Sequence, residues 1–140
     1  MAIKVFLDAN VLLDFILKRE QHYDDAKQIF QLVEENHING YITSSVLHII
    51  GYWVTKDFDV TKAKEIILNL LTIITVIDIR HETAVIALHS KIDDIEDALQ
   101  YYAAIYHKLD YFITRDKQLQ KDGIPALQVY SPSDFISKIK

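Results

Sequence analysis

The stretch that most constrains the fold is Ile3-Lys4-Val5-Phe6-Leu7-Asp8-Ala9-Asn10. Four of the five residues before Asp8 are apolar, the pattern of a central parallel strand covered on both faces. The strand ends abruptly in a carboxylate, and an apolar helical pattern follows at once at Val11, Leu12, Phe15 and Ile16. In open α/β sheets, ligands bind outside the carboxyl ends of such strands. Asp8 stands at that end, and a carboxylate closing a buried strand needs partners.

The rest of the chain alternates in the same rhythm. Helices are predicted over Ala9 to Lys18 and from about Asp24 to Asn36, the second with an inward stripe of Ala26, Ile29, Phe30 and Val33. Asn39-Gly40 reads as a turn and Tyr41-Ile42-Thr43 as a second strand. Ser44 or Ser45 caps a helix with Val46, Leu47, Ile50, Trp53 and Val54 on its apolar side. Asp59 or Thr61 starts another helix, buried through Ala63, Ile66, Ile67 and Leu70, and the β-branched run Ile73 to Ile77 is a third strand. Arg80 to Ser90 is helical with Ala84, Ala87 and Leu88 inward, and Asp93-Asp94 opens a helix to about His107. Its packing side carries Ala98, Tyr101, Tyr102 and Ile105. Tyr111 to Thr114 is a fourth strand and Ala126 to Val129 a fifth, followed by a short helix from Ser133 to Ile139 opened by Ser131-Pro132. Strands alternating with helices or helix pairs predict one α/β domain over 1–140, with a parallel sheet between helical layers.

Composition narrows the function classes. Of 140 residues, 50% are hydrophobic, enough for a core, and the absence of cysteine excludes disulfides, thiolate metal sites and thiol nucleophiles. The longest apolar run, Ile66 to Ile77, is interrupted by Asn69, Thr72 and Thr75 and falls short of the ~20 residues of a membrane span. No signal segment opens the chain, so the expectation is a soluble, cytoplasmic protein with no membrane partner. A formal net charge of −5 argues against the basic grip typical of DNA-binding domains. It leaves room for an enzyme whose carboxylates hold divalent cations that meet phosphates.

Three carboxylates fit that chemistry. Asp8 ends the first strand, Asp116 follows the fourth by two residues, and Asp97 lies in the first turn of the helix opened by Asp93-Asp94-Ile95-Glu96. Right-handed crossovers bring strand ends and helix starts to one edge of the sheet. Their repulsion there calls for a cation or a proton. Each has a plainer reading: Asp97 as part of a helix cap with Asp94, Asp116 as the cap of the next turn. Asn10 either orients Asp8 through its amide or serves the turn, and Thr114 either holds the site with its hydroxyl or is an ordinary strand residue. Glu96 points about 100° away from Asp97 around the helix and either supports the site or faces water. Arg115, Lys117 and Lys121 either guide a phosphate backbone or form a solvated face. His48 is the one histidine to watch, and Tyr101, Tyr102, Tyr106 and Tyr111 sit at a spacing that suits packing better than base stacking.

In this order and spacing the chain resembles PIN-domain proteins, in particular toxin ribonucleases of VapC type. The resemblance rests on Val5-Phe6-Leu7-Asp8-Ala9-Asn10-Val11-Leu12-Leu13-Asp14, on Asp94-Ile95-Glu96-Asp97-Ala98-Leu99-Gln100, on Phe112-Ile113-Thr114-Arg115-Asp116 and on Ser131-Pro132-Ser133-Asp134-Phe135. It implies a three-layer α/β/α fold with a central parallel sheet of four or five strands. It implies Mg²⁺ or Mn²⁺ at an acidic pocket and cleavage of single-stranded RNA or tRNA. A homodimer and a cognate antitoxin that blocks the pocket follow from the same likeness. By position, Asp8, Asp97 and Asp116 match the family's metal-binding acids, Glu96 an acid often found beside the third, and Thr114 and Asn10 its bracing polar residues. The chain departs from the family twice: Ile49 stands about where a further acid, commonly Glu, is usual, and Leu119 where many relatives have another Asp. Fewer carboxylates should bind metal more weakly, unless Ser45, His48 or Glu96 compensates.

Two other classes remain beside the metal-dependent ribonuclease. A PIN-like fold short of one acid can bind RNA or an antitoxin without cutting. A phosphatase of the haloacid dehalogenase type also opens with a strand and an Asp, but it wants a second Asp two residues on, where this chain has Asn10.

Overall fold

The computed structural model describes residues 2–140; Met1, the first residue of the expected domain, lies outside them. In chain order the elements are β1 (Ile3–Leu7), α1 (Ala9–Ile16), α2 (Tyr23–Glu34), β2 (Ile38–Thr43), α3 (Ser44–Asp57) and α4 (Val60–Leu70). They continue with β3 (Ile74–Ile77), α5 (His81–Leu88), α6 (Ile95–Tyr106), β4 (Tyr111–Ile113), α7 (Lys117–Asp122), β5 (Gln128–Tyr130) and α8 (Pro132–Ile139).

The five strands form one sheet in the order β3-β2-β1-β4-β5, and every pairing is parallel. The three-layer architecture expected from the sequence is therefore the observed one. β1 is central because its side chains are apolar on both faces: Val5, Phe6 and Leu7 are fully buried. Phe6 stacks on Phe112 of β4 with ring centroids 4.6 Å apart, joining the neighbouring strands through the core. The chain runs outward from β1 through β2 to β3, then crosses to β4 and β5 on the other side. The crevice between the carboxyl ends of β1 and β4 is the point where strand order reverses, the place where such sheets bind ligands.

Four local expectations change. Asn39-Gly40 is inside β2, paired with Lys4 and Val5, and not a turn. Gly40 is there for space, since a Cβ would meet Ile74 Cδ1 at 2.5 Å and Leu7 Cδ1 at 3.2 Å. The turn comes earlier, at Asn36, whose φ of 62° is the left-handed conformation that ends α2. Thr43, not a serine, caps α3 by accepting from the Val46 N–H, while the Ser45 hydroxyl bonds Thr43 Oγ1 at 2.9 Å. Trp53 and Leu88, expected inward, are 43% and 60% exposed, and α7 was not foreseen as a helix. Tyr101 is fully buried, its hydroxyl donating to the Leu127 carbonyl and accepting from the Ile124 N–H, so its role is packing. Tyr102 and Tyr111 pack partly buried against the core, whereas Tyr106 is exposed beside Arg80. No helix among the described residues is long and apolar enough to cross a membrane.

Candidate functional site

A groove of about 560 Å³ opens at the β1–β4 crevice. Its lining includes Asp8, Asp94, Glu96, Asp97 and Asp116, together with Asn10, Arg115, Ile49 and Trp53. The three acids singled out from the sequence thus share one wall of the molecule, delivered by β1, by the first turn of α6 and by the turn after β4. Helices run back against parallel strands, so the start of α6 lies at the same edge as the strand ends.

Each carboxylate is fixed differently. Asp8 caps α1: Oδ1 accepts from the Ala9 N–H at 2.7 Å, and Oδ2 accepts from the Thr114 hydroxyl at 2.7 Å. Thr114 is fully buried, and the same Oγ1 accepts from the Asp116 N–H at 3.1 Å. One hydroxyl therefore ties the two acids together across the sheet crevice. Asp116 caps α7 through Oδ1, which accepts from Gln118 and Leu119 N–H groups at 2.8 and 3.0 Å. Both plain capping readings hold in part. For α6 the cap is Asp94, whose Oδ1 accepts from the Asp97 N–H at 2.9 Å. The Asp97 carboxylate itself has no hydrogen bond among the described residues, which leaves its oxygens for the groove.

The electrostatics reflect burial first and crowded negative charge second. Burial pushes the Asp97 carboxyl up to about 7, and the neighbouring charges of Asp94, Asp8, Asp116 and Glu96 push the same way. Burial also raises Asp8; the Thr114 hydroxyl and Ala9 N–H oppose this, and Asp116 adds to it. Glu96 is raised by burial, then by Asp94 and Asp8; its Oε1 accepts from Gln100 at 3.2 Å. Among the described residues, five carboxylates line the groove, against Arg115 as the one cation.

Arg115 does not answer that charge freely. Its Nε and Nη2 donate to Asp14 at 2.8 and 3.2 Å. Asp14 is 1% exposed and also lies 3.5 Å from Arg19. Asn10 makes no side-chain hydrogen bond to Asp8 among the described residues; its Oδ1 accepts at 3.0 Å from the Arg19 guanidinium, which comes back along α1 from beyond the far end of the helix. Sequence reasoning gave Asp14 no role, although a lone acid in the apolar run Val11 to Ile16 has to find a partner. Lys117 lies with Arg115 along a separate surface pocket beside Ser131 to Asp134, and Lys121 is exposed. Neither lines the acidic groove.

Ile49 does line it, at the place where the resemblance led us to expect an acid, whereas Leu119 is buried in the core. Among candidate substitutes for that acid, the Ser45 hydroxyl is engaged by Thr43 and His48 is exposed, close enough to Glu96 to favour its charged form slightly. Among the described residues, no three His, Asp or Glu side chains close around a common point as a ready metal cluster. The donor set still fits a hard divalent cation: it is all-oxygen and anionic, and the Asp97 oxygens accept no hydrogen bond among the described residues.

Comparison with known proteins agrees with this geometry. Residues 4–118 match the family model described as the PIN domain. The chain is 28% identical to ribonuclease VapC1 of Aquifex aeolicus, over 96% of this chain and 94% of that protein. Its fold superposes with a TM-score of 0.70 on VapBC2 of Rickettsia felis, crystallised on a promoter DNA fragment, at 18% identity over 92% of this chain and 98% of the other. A toxin–antitoxin complex of Klebsiella pneumoniae aligns with a TM-score of 0.65 at 23% identity, over 91% and 97% of the two chains. With its family model matched across most of its length and its acids gathered at the β1–β4 crevice, the chain belongs to the PIN domain family.

Proposed function

We propose that this chain, as one PIN domain over 1–140, is a divalent-metal-dependent endoribonuclease that cuts single-stranded RNA or tRNA. In this reading it is the cytoplasmic toxin of a type II toxin–antitoxin pair, working as a homodimer and silenced by a cognate antitoxin. The observation that carries the reading is the convergence of Asp8, Asp97 and Asp116 on one groove at the strand-order switch, with Asp97 raised to about 7. The ribonuclease relative and the toxin–antitoxin complexes of like fold support it.

Asp8 and Asp97 would hold Mg²⁺ or Mn²⁺, with Asp116 completing the shell directly or through water. Such an ion supplies water activation and neutralises charge on the phosphate. The chain's own part is positioning. Thr114 fixes the Asp8 carboxylate and the backbone at Asp116, Glu96 adds negative charge at the groove edge, and Asp14 holds Arg115 beside it. Ile49 in place of an acid favours an attenuated enzyme, and in its strong form the second reading: a domain that binds RNA or antitoxin without cutting.

Incubation of purified protein with single-stranded RNA in Mn²⁺, in EDTA, and as Asp8→Asn tests the proposal. Cleavage confined to the wild type with metal is expected. Cleavage that persists in EDTA or in Asp8→Asn contradicts the mechanism, and binding without cleavage favours the second reading.

A further inference from the structure

The groove has an apolar wall that metal chemistry does not use. Ile49 and Trp53 lie one helical turn apart on α3 and both line the groove. Trp53 is 43% exposed and its neighbour Tyr52 is 53% exposed. The two rings meet edge to face, with centroids 5.4 Å apart and planes at 89°. Lys56 caps the pair, its Nζ 4.5 Å from the Tyr52 ring centre and 5.2 Å from that of Trp53.

Exposed apolar residues that form a contiguous patch, as Tyr52 and Trp53 do, mark interaction sites and ligand grooves more often than isolated ones. Other exposed apolar residues nearby, Phe58 and Val60, do not line the groove; Trp53 does. Its neighbours along that groove are the acids that would meet a phosphate through a cation. A π-face, an ammonium group and a phosphate-binding floor in sequence are the complement of a nucleotide in a single strand, where the base is free to stack. In a duplex the bases are already stacked on each other, and the platform has nothing to receive.

We infer that Trp53, supported by Tyr52 and Lys56, is a base-stacking subsite that holds an unpaired nucleobase at the rim of the acidic groove. The inference rests on the nuclease reading for its ligand class alone, since stacking needs no cleavage. Trp53 sets affinity and register of the strand and takes no part in the chemistry.

Trp53 is the single tryptophan of the chain, so its emission reports this subsite directly. Stopped-flow mixing of wild-type protein in Mg²⁺ with a single-stranded oligoribonucleotide should quench that emission saturably before turnover. An abasic strand with the same number of phosphates should not. Trp53→Ala should weaken binding of a labelled strand by about tenfold, with Trp53→Phe recovering part of the loss and both variants melting like wild type. Equal quenching by the abasic strand, or unchanged affinity in Trp53→Ala, overturns the subsite. So does an emission shift that follows protein concentration and ignores oligonucleotide, which assigns the rings to a contact between copies. Cleavage of the same strand, run on a gel, separates the two claims. Base-dependent quenching without cleavage keeps the subsite and sinks the nuclease; cleavage without base dependence does the reverse.

Discussion

The Thr114 hydroxyl donates to Asp8 Oδ2 at 2.7 Å, joining residues 106 positions apart at the ends of adjacent strands. The contact exists because β1 and β4 pair in parallel and in register, Leu7 against Ile113, so their next residues emerge side by side. The same oxygen accepts from the Asp116 N–H, and Thr114 is fully buried. Thr114→Val keeps the shape and removes both bonds. It should cost about 1–3 kcal/mol in chemical denaturation and lower RNA cleavage strongly. Thr114→Ser, which keeps the hydroxyl, should stay near wild type in both measurements.

The crowded carboxylates make a pH prediction. The folded Asp97 carboxyl titrates at about 7, above its ordinary 3.8, so the fold favours the protonated form. Its contribution is complete below the ordinary value and is lost as pH rises through about 7. Metal-free protein should therefore melt at a lower temperature at about pH 8 than at about pH 5, and Asp97→Asn should flatten this trend. Mg²⁺ or Mn²⁺ should raise the melting temperature more at the higher pH. Scanning fluorimetry in EDTA and in metal checks all of it; a wild-type and an Asp97→Asn profile of equal slope would contradict it.

Asp14 and Arg115 should respond unequally to substitution. Asp14 is sealed from water, whereas the Arg115 side chain is 30% exposed. Arg115→Ala strands a buried carboxylate with only the longer Arg19 contact and should cost about 3–5 kcal/mol. Asp14→Asn leaves a guanidinium that can turn to solvent and should cost about 1–3 kcal/mol. Urea titration of the two variants gives the order.

Ile49 faces the groove where an acid would add a ligand. Ile49→Glu should tighten Mn²⁺ binding by about tenfold and lower the metal concentration needed for cleavage. Calorimetry showing no change would mean that the wall at Ile49 does not reach the ion.

The frame of this site was legible in the sequence because it rests on short-range signals. The apolar run ending at Asp8, the cap at Asp94 and the β-branched strands are local patterns that tertiary packing did not override. What stayed hidden depends on partners far along the chain. Gly40 looks like a turn until the Ile74 and Leu7 side chains are seen packed against the place a Cβ would take. Asn10 looks like a local brace for Asp8, and nothing nearby in the sequence shows that its amide oxygen accepts from Arg19, nine residues on. Asp14 and Arg115 find each other across 101 positions, beyond any periodicity. Trp53 has the helical spacing of a core residue, and only the layout of the layers shows that its face of α3 borders the groove.

The central claim is that these acids gather to hold a cation. Crystals soaked in Mn²⁺ and measured at the manganese absorption edge test it most directly. The account predicts an anomalous peak in the groove within bonding distance of Asp8 and Asp97. A fully soaked crystal with no peak there, in protein that nevertheless cuts RNA, would contradict it.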